Sequence, residues 1–148
     1  PVEQVDARTA PDEELLALLA KYGITPGAVT LWGTGTPLRE FLWSEEMADA
    51  CVYIMEHVDF ADLRGSDPDV RNCHINIGTG REITIGRLAQ LIVRTVGYGG
   101  RLAFDATKPD GTLRKLTDVT KLHALGWHHR IEIDEGVSRI YRWYTESL

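Results

Sequence analysis

Apolar residues recur along this chain in two patterns: short continuous runs, and stripes spaced as on the face of a helix. The runs AVTLW (28–32) and RLAFD (101–105) predict strands, because β-branched and aromatic residues cluster there between turn-forming residues. CHINIG (73–78) predicts a further short strand. Strands that alternate with helical stripes predict an α/β or α+β arrangement.

The stripes begin at recognisable helix starts. Acidic residues Asp12 to Glu14 precede a leucine-rich helix that Gly23 ends, since negative charge favours a helix N-terminus. Ser44 is the predicted N-cap of a second helix. Its predicted buried stripe is Met47, Cys51, Met55 and Val58. Three more helices are predicted. One follows Thr84, and its buried face is Ile85, Leu88, Ala89, Ile92 and Val96. A short one covers Val119 to Ala124, and the last follows an Asp134 cap, with a buried face of Val137, Ile140, Tyr141 and Tyr144.

Polar and glycine-rich stretches predict the connections between these elements. Residues 1–12 are a loose lead-in, and residues 59–72 are a polar loop. Gly33 to Pro37 form a tight turn, and KPDG (108–111) forms another, with proline and glycine in the positions that turns favour. No internal repeat or low-complexity segment is present.

Composition narrows the class of protein. The chain has 148 residues, enough for one domain, and a net charge of −6 that argues against a nucleic-acid partner. No apolar run approaches the ~18 residues of a membrane span. The two cysteines, Cys51 and Cys73, form no disulfide framework, so we expect a reducing, cytoplasmic location.

The sequence lacks the residue patterns of several common kinds of functional site. GTGTPL (33–38) and GTGREI (78–83) both miss the third glycine of the dinucleotide fingerprint, so we interpret them as turns. None of the tyrosines has a lysine four positions later that could form a proton-transfer pair on one helix face. Cys73 and His74 are expected on opposite faces of a strand, and His128-His129 is expected to be an exposed turn pair. A metal site is therefore not expected.

The basic residues are better candidates. Arg39 follows the 33–37 turn, and four further cations surround the PDG turn: Arg101, Lys108, Arg114 and Lys115. Arginine binds phosphate through a planar pair of donors, and lysine adds a mobile charge. Trp32, at a strand end, could stack on a base or line a pocket. The alternative is that these cations are ordinary surface charges and that Trp32 belongs to the core.

Three long segments of the sequence resemble a known protein family. They are TLWGTGTPLREFLWSEEMADACVYIMEH, HINIGTGREITIGRLAQLIVRTVGYGGRLAFDATKPDGTLRKLTDVTKLHALGW and RIYRWYTESL. Together they resemble the C-terminal half of the GDP-L-fucose synthase family, whose members are extended short-chain dehydrogenases/reductases. The resemblance covers about residues 29–147. It divides the chain into a lead-in with a short helix (1–28) and a nucleotide-sugar-binding domain (29–148).

This resemblance carries expectations about fold and chemistry. The fold would be the C-terminal portion of such an enzyme, α/β (α+β in isolation), without the N-terminal Rossmann half that binds NADPH and supplies the catalytic groups. Its substrate contacts carry over to Trp32, Arg39, Arg101 and Lys115. No catalytic, cofactor-binding or metal-binding residue is expected here, and Cys51 and Cys73 receive no role. Expected partners are a GDP-sugar, the Rossmann half and a second copy of the chain, with no membrane.

Three hypotheses follow. The first makes the chain the substrate-binding part of an NADPH-dependent epimerase-reductase that consumes no NADPH by itself. The second is a free-standing or degenerate nucleotide-sugar-binding module. The third is a structural interaction domain whose cations are surface charge.

Overall fold

A computed structural model describes residues 5–6, 8–64 and 70–147. The predicted lead-in (1–12) and polar loop (59–72) therefore lie partly outside the described residues. In chain order, the described elements are α1 (Asp12–Lys21), β1 (Ile24–Thr25), β2 (Ala28–Trp32), β3 (Leu38–Arg39), α2 (Ser44–His57), α3 (Phe60–Arg64), β4 (Ile83–Thr84), α4 (Ile85–Val96), β5 (Arg101–Asp105), α5 (Thr120–Ala124) and α6 (Ile133–Glu146).

These elements divide between two compact units. The first unit, residues up to Pro37 and Ile85–Leu113, contains a three-stranded sheet in the order β1-β2-β5. β1 is antiparallel to β2, whereas β2 and β5 are parallel and pair from Ala28↔Arg101 to Trp32↔Asp105. A parallel pair needs a long crossover connection. Both strands confirm the predictions made for AVTLW and RLAFD.

The second unit comprises Leu38–Thr84 and Arg114–Leu148. Its two-stranded antiparallel ladder pairs β3 with β4, Leu38 with Thr84 and Arg39 with Ile83. Its apolar core consists of Ala50, Leu122 and Trp127, against which partly buried side chains pack: Leu42, Tyr53, Ile54, Ile75 and Ile77. The mixed composition confirms the predicted fold class. None of the helices in the described ranges combines the length and apolar character of a bilayer span.

The predicted buried stripe of α2 is wrong. Met55 is 84% exposed, and Met47 and Cys51 are exposed as well, while Ala50 is fully buried against the core. The buried face of α2 therefore differs from the predicted stripe, and it includes Glu46, which is 3% exposed. Its carboxylate accepts hydrogen bonds from the backbone N–H groups of Arg130 (2.5 Å) and Ile131 (3.1 Å). The buried carboxylate therefore keeps hydrogen-bond partners.

The last helix is also more exposed than predicted. In α6, Ile140 and Tyr144 are exposed, and the buried residue is Gly136. The cap positions differ too: Glu132 precedes the helix, and Asp134 lies inside its first turn. Ser44 is likewise the first residue of α2, after Trp43 at the cap position, and neither cap residue makes a side-chain capping hydrogen bond.

Other differences concern connections. CHINIG forms no ladder with another described segment, so it is not assigned as a strand, although Ile75 and Ile77 still pack on the core. The predicted loop after residue 58 contains α3. The turn predicted at KPDG lies earlier, at Asp105, whose carbonyl accepts the N–H of Lys108 at 3.1 Å.

Candidate functional site

Trp32 ends β2 in the first unit, and its side chain is 75% exposed. The Lys108 ammonium lies 5.6 Å from the centroid of its ring, within the range of a cation–π interaction. This exposure rules out the alternative that Trp32 is a core residue. An exposed indole with a cation over it offers a flat surface beside positive charge.

The turn after Trp32 is held by Asp110. The carboxylate accepts hydrogen bonds from the Thr34 backbone N–H (2.8 Å) and from the Thr34 hydroxyl (2.6 Å). The Thr34 side-chain and backbone hydrogen bonds hold the pKa of Asp110 below its ordinary value. Gly35 has a φ of +76°, and a Cβ there would contact the ring of Phe104, so only glycine fits the turn. The turn is thus a fixed support for the residue that precedes it.

Arg101 lies at the opposite end of the same strand pair. It pairs with Ala28, whereas Trp32 pairs with Asp105, so the two candidates are four residues apart along the strands. At about 3.3 Å per residue this separates their backbones by roughly 13 Å. The first unit therefore does not bring Arg101 and Trp32 together at one strand end.

In the second unit, Arg39 ends the short strand β3 and is partly buried. Its guanidinium donates to the Leu38 carbonyl at 2.6 Å. The next residue, Glu40, accepts backbone N–H groups from Thr79 (2.6 Å), Gly80 (2.6 Å) and Thr117 (3.0 Å). Burial raises the pKa of Glu40, but the hydrogen bonds from Thr117, Gly80 and Thr79 outweigh burial and lower it overall.

Lys115 is exposed and lies two residues before Thr117, which Glu40 holds. Its neighbour Arg114 instead forms an ion pair with Glu82, at 2.9 Å. The two adjacent cations therefore differ: Arg114 has a carboxylate partner, and Lys115 lies beside a backbone segment that is fixed by hydrogen bonds. Of this pair, Lys115 remains the candidate ligand.

Sequence reasoning missed Glu40 and Asp110. Their partners are distant along the chain: Glu40 is 39 residues from Thr79, and Asp110 is 76 residues from Thr34. No local periodicity reports such contacts. The available signal was the pair of glycine turns, because a turn exposes backbone N–H groups that a nearby carboxylate can accept.

Of the predicted exposed pair His128-His129, His128 is exposed as predicted, whereas His129 is not. His129 has a side chain that is only 7% exposed, with its Nε2 3.4 Å from a carboxylate oxygen of Glu132. The His128 ring stacks on that of His123, at 4.3 Å between centroids. These rings form a histidine cluster in the second unit, defined here as His123, His128 and His129. The described part of the chain nevertheless contains no group of three or more His, Cys, Asp or Glu side chains placed to hold a metal ion.

Neither glycine turn opens directly into a helix. The fingerprint requires the turn to open directly into a helix, whose N-terminus binds the pyrophosphate. The Gly33–Pro37 turn leads into β3, and the Gly78–Gly80 turn leads into β4 before α4 begins at Ile85. Both turns lead into short strands.

Comparison with known proteins gives the class to which this fold belongs. Residues 7–78 match the NAD dependent epimerase/dehydratase family. A solved GDP-6-OMe-4-keto-L-xylo-heptose reductase from Campylobacter jejuni is similar with a TM-score of 0.89 and 39% identity, over 95% of this chain and 40% of that one. A GDP-mannoheptose C4 reductase from the same organism, solved with NADP bound, gives a TM-score of 0.80 and 38% identity, over 93% and 38% of the two chains.

Sequence relatives give a finer relationship. The chain is 50% identical to GDP-L-fucose synthase of Escherichia coli (strain K12) over 119 residues, 80% of this chain and 36% of the relative. It is 44% identical to GDP-L-fucose synthase 1 of Arabidopsis thaliana over 81% of this chain and 34% of that protein. The chain is therefore similar in sequence to GDP-L-fucose synthases and in fold to GDP-sugar reductases. It spans about a third of the length of these curated relatives, and the match falls in their C-terminal part.

Proposed function

We propose that this chain forms the substrate-binding part of a GDP-L-fucose synthase. Such an enzyme converts GDP-4-keto-6-deoxymannose to GDP-L-fucose by 3,5-epimerisation and NADPH-dependent reduction of the 4-keto group. The observation that carries the proposal is the 50% identity to the Escherichia coli enzyme across 80% of this chain. The similar GDP-sugar reductase structures support it, because they share nearly the whole of this chain's fold.

The candidate residues suit a nucleoside diphosphate. In this proposal Arg39 and Lys115 bind the diphosphate, since a guanidinium fork and an ammonium are its natural donors. Trp32, in the first unit, stays a separate predicted contact on the ground of its exposed indole. Arg101 is kept as a further contact, although its backbone lies a strand length from Trp32.

The chemical steps belong to other parts of the protein in this proposal. Neither glycine turn suits a dinucleotide, and no residue of this chain is assigned as catalytic acid or base. We therefore expect the 148 residues on their own to bind GDP without oxidising NADPH. Any NADPH oxidation by this chain alone with the keto sugar would contradict the assignment. Pairing of two copies stays a prediction.

Calorimetric titration with GDP tests the proposal. Arg39→Ala and Lys115→Ala are expected to weaken binding by roughly tenfold or more each, as for a lost charged hydrogen bond. Arg114→Ala is the matched control, because it removes an adjacent cation that already pairs with Glu82. Its GDP affinity should equal that of the wild type.

The alternatives give different results. A purely structural domain would show no GDP binding in any variant. A nucleotide-sugar-binding module would bind GDP, but the protein as its gene encodes it would not turn over NADPH and the keto sugar.

A further inference from the structure

We propose that Glu40 is a positioning residue of the GDP-sugar site, which holds the backbone segments that carry Arg39 and Lys115 in place. The inference rests on the proposed function and adds to it a residue that does not itself touch the ligand. Glu40 directly follows Arg39, the last residue of β3. Through its carboxylate it is bonded to two further segments of the second unit.

The two carboxylate oxygens of Glu40 accept hydrogen bonds from different segments. Oε1 accepts the backbone N–H groups of Thr79 and Gly80, both at 2.6 Å, and the Thr79 hydroxyl at 3.1 Å. Oε2 accepts the backbone N–H of Thr117 at 3.0 Å. One side chain therefore fixes the Gly78–Gly80 turn with one oxygen and the segment that follows Lys115 with the other.

The surroundings of this carboxylate are closely fitted. A Cβ built on Gly78 would lie 2.6 Å from Oε1 of Glu40 and 3.1 Å from the Cβ of Thr117. Gly80 has a φ of +70°, which lets its N–H point at the same oxygen as that of Thr79. Gly78 thus makes room for the carboxylate and Gly80 presents a donor to it, which gives the Gly78–Gly80 turn a role apart from phosphate binding.

The geometry indicates positioning rather than proton transfer. Both oxygens already accept protein hydrogen bonds, and those bonds stabilise the ionised form, so the pKa of Glu40 is lowered despite burial. A group that stays ionised near neutral pH and faces backbone donors is poorly suited to act as a general acid. It is well suited to keep flanking cations preorganised, which lowers the entropy cost of binding an anion.

Of the two cations, Lys115 depends more directly on the hydrogen bonds of Glu40. It lies two residues from the Thr117 N–H, so its backbone is tied to the residue after Arg39 through a single side chain. Without the Oε2 bond, the segment that carries Lys115 loses its link to Glu40. The ammonium would then sample more positions before it met a diphosphate.

The test is Glu40→Gln in the protein as its gene encodes it. The amide oxygen can still accept from Thr79 and Gly80, but the amide NH₂ must then face the Thr117 N–H, so one donor opposes another. We expect the Kd for GDP to rise about tenfold. With the keto sugar and NADPH, KM should rise in parallel while kcat changes much less, since the reacting groups are untouched.

Glu46→Gln is the matched control. Glu46 is a buried glutamate of the same unit that also accepts two backbone N–H groups, from Arg130 and Ile131, on a different segment. This variant should lose comparable stability in urea while its GDP affinity stays at the wild-type value. Equal weakening of GDP binding by both variants would reduce Glu40 to general stabilisation and overturn the proposal.

The remaining outcomes are also decisive. Wild-type GDP affinity in Glu40→Gln overturns the positioning role and leaves the proposed function intact. A wild-type protein that does not bind GDP overturns the proposed function itself. If Glu40→Gln does not fold, Glu40→Asp serves instead, because it keeps the charge but is one methylene shorter, so its carboxylate cannot reach both the Gly78–Gly80 turn and the Thr117 N–H. It should raise the Kd for GDP severalfold, and an unchanged Kd there would overturn the proposal.

Discussion

The Asp110 carboxylate accepts two hydrogen bonds from Thr34, one from its backbone N–H at 2.8 Å and one from its hydroxyl at 2.6 Å. The two residues are 76 positions apart in sequence. Their contact ties the segment after β5 to the turn after β2, within the first unit. Because that turn directly follows Trp32, its rigidity determines how firmly the exposed indole is held.

Asp110→Ala is expected to loosen this turn, since it removes both acceptors. Asp110→Asn should keep most of the order, because its amide oxygen still accepts the Thr34 N–H and its NH₂ can donate to the hydroxyl. Hydrogen exchange of the Thr34 amide measures the difference, with much faster exchange in the alanine variant alone. Equal exchange in the wild type and in Asp110→Ala would show that the turn is held by other contacts.

The same contact predicts a titration. The pKa of Asp110 is lowered by its bonds from Thr34, so their contribution is present above the ordinary aspartate pKa of about 3.9 and is lost as pH falls through the lower folded value. The Thr34 amide chemical shift should therefore titrate with a midpoint below that of an ordinary aspartate. In Asp110→Asn this titration should vanish. A midpoint at or above the ordinary value would contradict the prediction.

Gly35 provides a test of the turn's backbone. Gly35→Ala places a Cβ at a φ of +76° and against the Phe104 ring, so we expect a loss of about 1–2 kcal/mol or more in the free energy of unfolding. Gly99→Ala is the control, because nothing lies within 4 Å of its added Cβ. It should stay within about 0.5 kcal/mol of the wild type in urea unfolding. Similar losses in both variants would mean that the turn does not need glycine.

The corrected orientation of α2 makes a further prediction. Ala50 is fully buried against Leu122 and Trp127, so Ala50→Leu should overpack the core and cost about 1–3 kcal/mol. Met55 is largely exposed, so Met55→Ala in the 148-residue chain should change stability by less than about 0.5 kcal/mol. If Met55→Ala destabilised the protein more than Ala50→Leu does in urea unfolding, the buried face of α2 would be the apolar stripe that the sequence predicts.

The comparison of pattern and structure is informative at particular residues. β2 and β5 were predictable as strands because each is an apolar run bounded by turn residues, whereas their parallel pairing joins distant segments and was not predicted. The buried face of α2 was not, because periodicity counts Glu46 as polar, whereas Arg130 and Ile131 satisfy its carboxylate 84 and 85 residues away. Candidate ligands such as Arg39 stand out by residue type and motif. The carboxylates that hold their segments, Glu40 and Asp110, become visible only when distant turns are folded together.

The histidine cluster carries the last prediction. Burial, followed by the charges of His128 and His129, lowers the pKa of His123, and its Nε2 is buried without a hydrogen-bond partner. The unfolded chain therefore binds a proton more readily than the folded one. Stability is fully present above the ordinary histidine pKa of about 6.5 and is lost as pH falls through the lower folded value.

His123→Phe isolates this contribution. Phenylalanine keeps a flat ring to stack on His128 and cannot be protonated, and no hydrogen bond from the buried Nε2 is lost. Urea unfolding between pH 7.5 and 5 should show a shallower loss of stability in this variant than in the wild type. A wild-type slope in His123→Phe would contradict the prediction.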